Sequence, residues 1–289
     1  MKFKKILLIY KHSAYRNYFM NPNSSILQST NKKLVQSEKK RLREAHDNHY
    51  KTLGHVTATL KKHDVTFEFC YRGKEFDFRN FDLIITVGGD GTFLEASRNA
   101  KNHVMLGVNS SPNHSVGRFC IANAKNFERL FKKIIAGDFK IGKFHRITGR
   151  LGRKESFDAL NDILVCHRNP AALCRYHFEI GKGKEEQRSS GVWISTAVGS
   201  SGALSSAGGK KLHHYDKKFV YHPRELYRWN AHAYKFKGSV LSSKQTLTVT
   251  SLMRRGMIYV DGAHKKFTFN YGSNLKVSLS KNPIRTISL

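Results

Sequence analysis

Residues 86–96, Thr-Val-Gly-Gly-Asp-Gly-Thr-Phe-Leu-Glu-Ala, set one carboxylate among three glycines directly after an apolar run. Gly88, Gly89 and Gly91 leave the main chain bare, so a phosphate can approach its N–H groups, and the start of a following helix favours an anion there. Thr92 belongs to the same loop. An acid is a poor structural choice at such a place, because it repels the phosphate that its neighbours attract. Asp90 makes sense as the group that accepts a proton from an attacking hydroxyl, or as an anchor for a divalent ion such as Mg²⁺. A helix cap is the structural alternative, but a cap does not need three flanking glycines. The chain has no G-x-x-x-x-G-K-[ST] and no G-x-G-x-x-G, which excludes a P-loop enzyme and the standard dinucleotide fingerprint.

The elements that must hold this loop can be read from hydrophobic spacing. Residues 5–10 (KILLIY) suit a buried parallel strand, and Asn21-Pro22-Asn23 marks a turn after it. From 31 to 63 the apolar positions Val35, Leu42, Ala45, Leu53, Val56 and Leu60 predict a long amphipathic helix. Strands are predicted at 65–71, 83–87 and 104–108, and helices at 93–100 and 126–136, the latter closed by Gly137. This order predicts an N-terminal Rossmann-like α/β domain over 1–137, with the glycine loop at the carboxyl end of a strand, where ligands of open α/β sheets bind. Beyond it, short β-branched and aromatic runs at 159–166, 176–180, 191–197, 246–250, 257–260, 266–269 and 275–279 predict a second, β-rich domain of β-sandwich type. Its expected span is 138–266, with 267–289 a C-terminal segment returning to the first domain.

A chain of 289 residues can supply two such cores. No stretch approaches the roughly 20 apolar residues of a membrane-spanning helix, and the apolar run 6–9 is too short for a signal peptide, so a cytoplasmic protein with no membrane span is expected. Cys70, Cys120, Cys166 and Cys174 show no C-x-x-C pairing and are read as reduced core thiols, with no metal-ligand set. The formal charge is +30, from 51 Lys and Arg against 21 Asp and Glu. Such a surface attracts polyanions, including nucleotide phosphates and polyphosphate. It forms no single basic stripe, and no specific nucleic acid is implied.

Three further places narrow the reading of the glycine loop. They are Ala159-Leu160-Asn161-Asp162, the stretch from Arg188 to Gly209 containing Ser195-Thr196-Ala197-Val198-Gly199-Ser200-Ser201-Gly202-Ala203, and Val260-Asp261-Gly262. The Gly-Gly-Asp-Gly-Thr loop is shared by NAD kinases, diacylglycerol and sphingosine kinases and, in similar form, phosphofructokinases. The four motifs together, in this order, resemble the NAD kinase family over roughly 80–265. Residues 107–117 and Lys11-His12-Ser13-Ala14-Tyr15 resemble its mitochondrial-type branch, of which the chain would be a divergent member.

The resemblance implies phosphoryl transfer from ATP or polyphosphate to the 2′-hydroxyl of the adenosine ribose of NAD, by a homo-oligomer that uses a divalent cation. It gives Asp90 the role of base or metal-linked anchor and Gly88, Gly89, Gly91 and Thr92 the phosphates. Asn161 and Asp162, the latter standing for the family's Glu, would hold ribose hydroxyls or the adenine amine. Arg188 could fork onto the dinucleotide's phosphates. Thr196, Gly199, Ser200 and Ser201 would let a ribose or adenine lie close, and Asp261 completes the binding set. Ala203 stands where the family has an aromatic, Val198 replaces a Thr and Ser190 an Asp, which removes stacking area and polar contacts; Trp193, Tyr215 and Trp229 are aromatics that would compensate. A lipid kinase of the diacylglycerol or sphingosine type, and a polyanion-binding protein on a kinase scaffold, are the competing readings.

Overall fold

A computed structural model of the chain describes residues 3–28, 31–153, 155–227 and 233–288. The chain divides into two units, residues 1–142 with 285–289, and residues 143–284.

The first unit contains β1 (Lys5–Tyr10), α1 (Ala14–Phe19), α2 (Lys32–Lys62), β2 (Thr66–Tyr71), β3 (Leu83–Gly88), α3 (Asp90–Ser97), β4 (Val104–Asn109), β5 (Cys120–Asn123), α4 (Phe127–Ala136) and β6 (Lys140–Phe144). Its sheet runs β2-β1-β3-β4 with parallel pairing throughout, and β5 also pairs parallel with β4. β3 and β4 are buried at every residue, which is why LIITVG and VMLGVN are continuous apolar runs without alternation. α2 lays Val56 and Leu60 on Ile6, Leu8, Leu83 and Ile85, while α4 adds Phe127, Leu130 and Phe131. No helix among the described residues is long and apolar enough to cross a membrane.

The second unit continues with β7 (Ile147–Leu151), β8 (Glu155–Ala159), β9 (Asp162–His167), β10 (Cys174–Ile180), β11 (Gly183–Ser189), β12 (Val192–Thr196), α5 (Ala203–Ser206), β13 (Lys218–Pro223), β14 (Ser239–Ser242), β15 (Leu247–Ser251), β16 (Gly256–Val260), β17 (Lys265–Thr268) and β18 (Asn274–Leu279). One sheet has the order β11-β10-β15-β18-β7-β8 and the other β14-β13-β12-β9-β16-β17. One core cluster takes Phe157, Tyr176, Phe178, Val249 and Val277 from the first sheet and Ile163, Val192, Ile194, Phe219 and Ile258 from the second, as in a sandwich. β19 (Ile284–Ser288) then pairs parallel with β4.

The division at 142/143 lies beyond the expected boundary at 137/138, because β6 belongs to the first sheet. Of the expected returning segment 267–289, residues 285–289 join the first unit, whereas β17 pairs with β16 and β18 with β7 and β15 inside the second. The helix expected at 93–100 begins at Asp90, because the carbonyl of Gly89 accepts the N–H groups of Thr92 (3.0 Å) and Phe93 (3.4 Å). The strand expected at 159–166 is two strands broken at Leu160 and Asn161.

Candidate active site

β3 delivers the glycine loop and α3 carries it away. Gly88 ends the strand, with its carbonyl accepting Ser110 N–H at 2.8 Å, and Gly89 is the extended N-cap of α3. A Cβ at Gly88 would run into the Thr92 side chain, so glycine here permits the close turn. Asp90 is thus not the cap but the first helical residue. Its half-buried carboxylate accepts Phe119 N–H through Oδ1 at 2.9 Å, which ties the connection after β4 to the glycine loop. The rings of Phe93 on α3 and Phe119 stack on each other at 5.2 Å. Burial, then the charge of Asp90, pushes the Cys120 thiol up to about 12, so this neighbour stays a neutral thiol. Thr92 is 1% exposed and its Oγ1 has no hydrogen-bond partner among the described residues.

Cations gather around the loop. Arg72 pairs with Glu95 at 2.8 Å, and its guanidinium lies 3.3 Å from where a Cβ on Gly91 would stand. Burial, then the charge of Arg72, lowers the Lys11 pKa. The Lys11 carbonyl accepts His49 Nε2–H at 2.8 Å, which leaves His49 Nδ1 to accept the Ser110 hydroxyl at 2.8 Å. Burial, then Lys11, drives His49 down to about 4, in keeping with this neutral tautomer. Nothing in the spacing of Arg72 or His49 pointed to the loop. Lys11 belongs to the segment 11–15, whose sequence resembles the family's mitochondrial-type branch, but no spacing ties it to the loop.

In the second unit the turn joining β8 to β9 carries Leu160 and Asn161, and Asp162 opens β9. Asp261, just past β16 at φ +51, accepts N–H groups from Leu160 (3.0 Å), Asn161 (2.6 Å) and Asp162 (3.2 Å) through its two carboxylate oxygens. On the other side, Ser195 Oγ (2.9 Å) and Thr196 N–H (3.0 Å) donate to the Asn161 carbonyl, and Thr196 Oγ1 donates to that of Leu160 at 2.7 Å. Asn161 Nδ2 donates to Asp162 Oδ2 at 2.8 Å. Asp162 is 5% exposed, and burial followed by the Asp261 charge pushes its carboxyl up to about 7.

Asn161, Asp162, Thr196, Gly199 and Asp261 are therefore brought together. Gly199 N–H donates to Thr196 Oγ1 at 3.0 Å, and a Cβ at Gly199 would collide with the Asn161 carbonyl. Thr196 and Ser200 are fully buried, and their hydroxyls hold the loop: Ser200 donates to the Ala197 carbonyl at 2.7 Å and accepts Leu212 N–H at 2.8 Å. Ser201 is half-buried at the rim. Arg188 is not part of this group. It sits on β11, the edge of the other sheet, with Nε 3.5 Å from Glu186. Of the compensating aromatics, Trp193 is half-buried on β12, Tyr215 stacks on Phe144 at 5.4 Å, and Trp229 lies outside the described residues.

Comparison with known proteins matches residues 8–139 to the ATP-NAD kinase N-terminal domain and 160–289 to the ATP-NAD kinase C-terminal domain. A protein of Oryza sativa subsp. japonica named probable NADH kinase is 32% identical over 231 residues, 72% of this chain and 71% of that one. An NAD kinase of Archaeoglobus fulgidus is 30% identical over 218 residues, 74% of this chain and 82% of its own. Among solved structures, an Archaeoglobus fulgidus NAD kinase in complex with ATP shares the fold at a TM-score of 0.69 and 23% identity, covering 98% of this chain and 93% of that one. Yeast NADH kinase complexed with NADH shares it at 0.73 and 18% identity, covering 100% and 84%.

Proposed function

The chain belongs to the NAD kinase family, and from that premise we propose that it transfers a phosphoryl group from ATP or polyphosphate to the 2′-hydroxyl of the adenosine ribose of NAD, forming NADP. One observation carries the chemical assignment: Asp90 is the acid in the first turn of α3, oriented by Phe119 N–H and flanked by bare glycine backbone.

In this reaction the ribose oxygen attacks the terminal phosphorus, an O–P bond forms, and the bond from phosphorus to the bridging oxygen breaks. ADP or a shortened polyphosphate leaves with that electron pair, and Asp90 takes the hydroxyl proton. Because a sugar hydroxyl is a weak nucleophile, positioning and charge stabilisation supply most of the acceleration. Main-chain groups at Gly88, Gly89 and Gly91 meet the phosphates beside Thr92, whose own N–H is held by the Gly89 carbonyl, and the α3 dipole favours their charge. Asn161 and Asp162 hold the acceptor's adenosine, with Thr196, Gly199, Ser200 and Ser201 shaping the space beside them. Arg188 lies on β11, outside the Asn161 group, with Nε 3.5 Å from Glu186, and remains the candidate for the dinucleotide's phosphates.

A divalent cation fits this chemistry as a companion of the donor. No three His, Cys, Asp or Glu side chains gather to hold one among the described residues; Asp90 is the carboxylate at the glycine loop that would anchor it, as the alternative to acting as the base. When bound, the cation neutralises charge on the transferring group. A cytoplasmic homo-oligomer is part of the same proposal.

The two family matches span both units, which favours the dinucleotide over a lipid as acceptor. Purified protein with Mg²⁺, NAD or NADH, and ATP or polyphosphate should yield NADP or NADPH, read by an enzyme specific for the phosphorylated dinucleotide. Phosphorylation of vesicle diacylglycerol or sphingosine with no dinucleotide product would reverse the assignment.

A further inference from the structure

Asp261 stands 99 residues from Asp162 in the chain, yet its carboxylate accepts the main-chain N–H groups of Leu160, Asn161 and Asp162. Its own N–H returns to the Asp162 carbonyl at 3.0 Å, and its left-handed φ of +51 is the conformation that β16 must adopt at its end to make both contacts. Left-handed backbone in a residue other than glycine is uncommon, though Asp tolerates it better than most. The carbonyls of Leu160 and Asn161 are taken from the opposite side by Ser195 and Thr196 on β12. Two elements thus engage the main-chain donors and acceptors of this two-residue turn, which leaves the side chain of Asn161, with that of Asp162 beside it at the start of β9, to meet a ligand.

We propose that Asp261 is a positioning residue: its carboxylate fixes the turn so that Asn161 and Asp162 meet the acceptor dinucleotide in one geometry. The inference rests on the dinucleotide kinase reading above and departs from the binding role first expected of Asp261. Holding the turn in its binding conformation before the ligand arrives lowers the ordering cost of binding, so the effect falls on affinity.

A second consequence follows from charge. Opposite Asp162, β12 presents the uncharged Ser195, and β16 ends in the uncharged Val260 before Asp261. Asp261 is therefore the charged group acting on Asp162 among the described residues, and together with burial it holds Asp162 at about 7. On this reading the ionised form of Asp162 is the better acceptor for a hydroxyl of the dinucleotide, with Oδ2 already accepting Asn161 Nδ2, so binding weakens as pH falls through that value.

Asp261→Asn keeps the shape and one acceptor oxygen but removes the charge. The expected result is a KM for NAD raised at least tenfold, a kcat within threefold of wild type, and a midpoint for the pH dependence of NAD binding shifted to lower pH. A change confined to thermal stability would move neither the midpoint nor the split between KM and kcat. If Asp261→Asn does not fold, Thr196→Val tests the same idea from the other side, since it removes the hydroxyl bond to the Leu160 carbonyl and should also raise KM with kcat preserved. Wild-type protein that phosphorylates neither NAD nor NADH would defeat the underlying kinase reading. Active wild-type protein with an Asp261→Asn variant unchanged in KM and midpoint, or one that loses kcat alone, would overturn the positioning role while leaving the kinase reading intact.

Discussion

His49 is a buried titratable group whose protonation the fold resists, at 1% exposure and with both ring nitrogens occupied. Its pKa is lowered to about 4 from 6.5. As pH falls from about 6.5 to about 4, the unfolded chain takes up a proton that the folded chain refuses, so stability is lost in that window by up to about 3 kcal/mol. Asp162 acts with the opposite sign. Its raised value means stability that is present below its ordinary range and lost as pH rises through about 7. Urea melts of wild type and His49→Gln across pH 4 to 7 isolate the His49 effect, because the variant lacks it and keeps the Asp162 contribution and the other ionisations common to both proteins. Wild type should lose stability relative to the variant toward acid, and parallel curves would contradict this account. At this scale the sequence announced Asp90, since an acid among three glycines has few structural uses. It did not announce His49, Arg72 or the clamp by Asp261, because each depends on contacts between distant segments that no local spacing encodes.

Among the elements, continuous apolar runs were the most readable. KILLIY became β1 with its expected ends, and the helix expected at 31–63 is α2, Lys32–Lys62, capped by Asn31 accepting Leu34 N–H at 3.1 Å. β11 escaped notice because GKEEQRS carries charge on an edge strand and buries Gln187 and Ser189 in place of apolar side chains. α3 was started late because glycine loops read as irregular, whereas here Gly89 itself caps the helix. The turn at Leu160 and Asn161 was hidden inside an apolar run, since what breaks the strand is a carboxylate from beyond β16. Two glycine substitutions test whether these elements are placed as described. Gly199→Ala drives a Cβ into the Asn161 carbonyl and should cost about 1–3 kcal/mol while weakening dinucleotide binding. Gly54→Ala, on the exposed face of α2 with nothing within 4 Å, should add about 0.5–1 kcal/mol and leave binding alone. Denaturant midpoints and a dinucleotide titration read both, and Gly199→Ala with wild-type binding would count against the loop geometry.

For the whole molecule, charge and domain order were available from composition and pattern, and both bear on function. A net charge of +30 raises the local concentration of polyphosphorylated donors without choosing among them. The change from helical to strand spacing after the first domain foretold an α/β unit followed by a β-rich one. The return of the C-terminal segment to the first domain was expected, whereas its pairing with β4 was not legible, because β19 is short and ordinary in sequence. Function is concentrated in a small part of this architecture, and the account depends most on the acid that begins α3. The direct test is a single-turnover measurement of dinucleotide phosphorylation by wild type and Asp90→Asn, at saturating NAD and donor, with melting temperatures compared in parallel. The variant should melt as wild type does and turn over on the order of 10²–10⁴-fold more slowly, the usual worth of a positioned base; a well-folded Asp90→Asn protein that works at nearly the wild-type rate would contradict the mechanism.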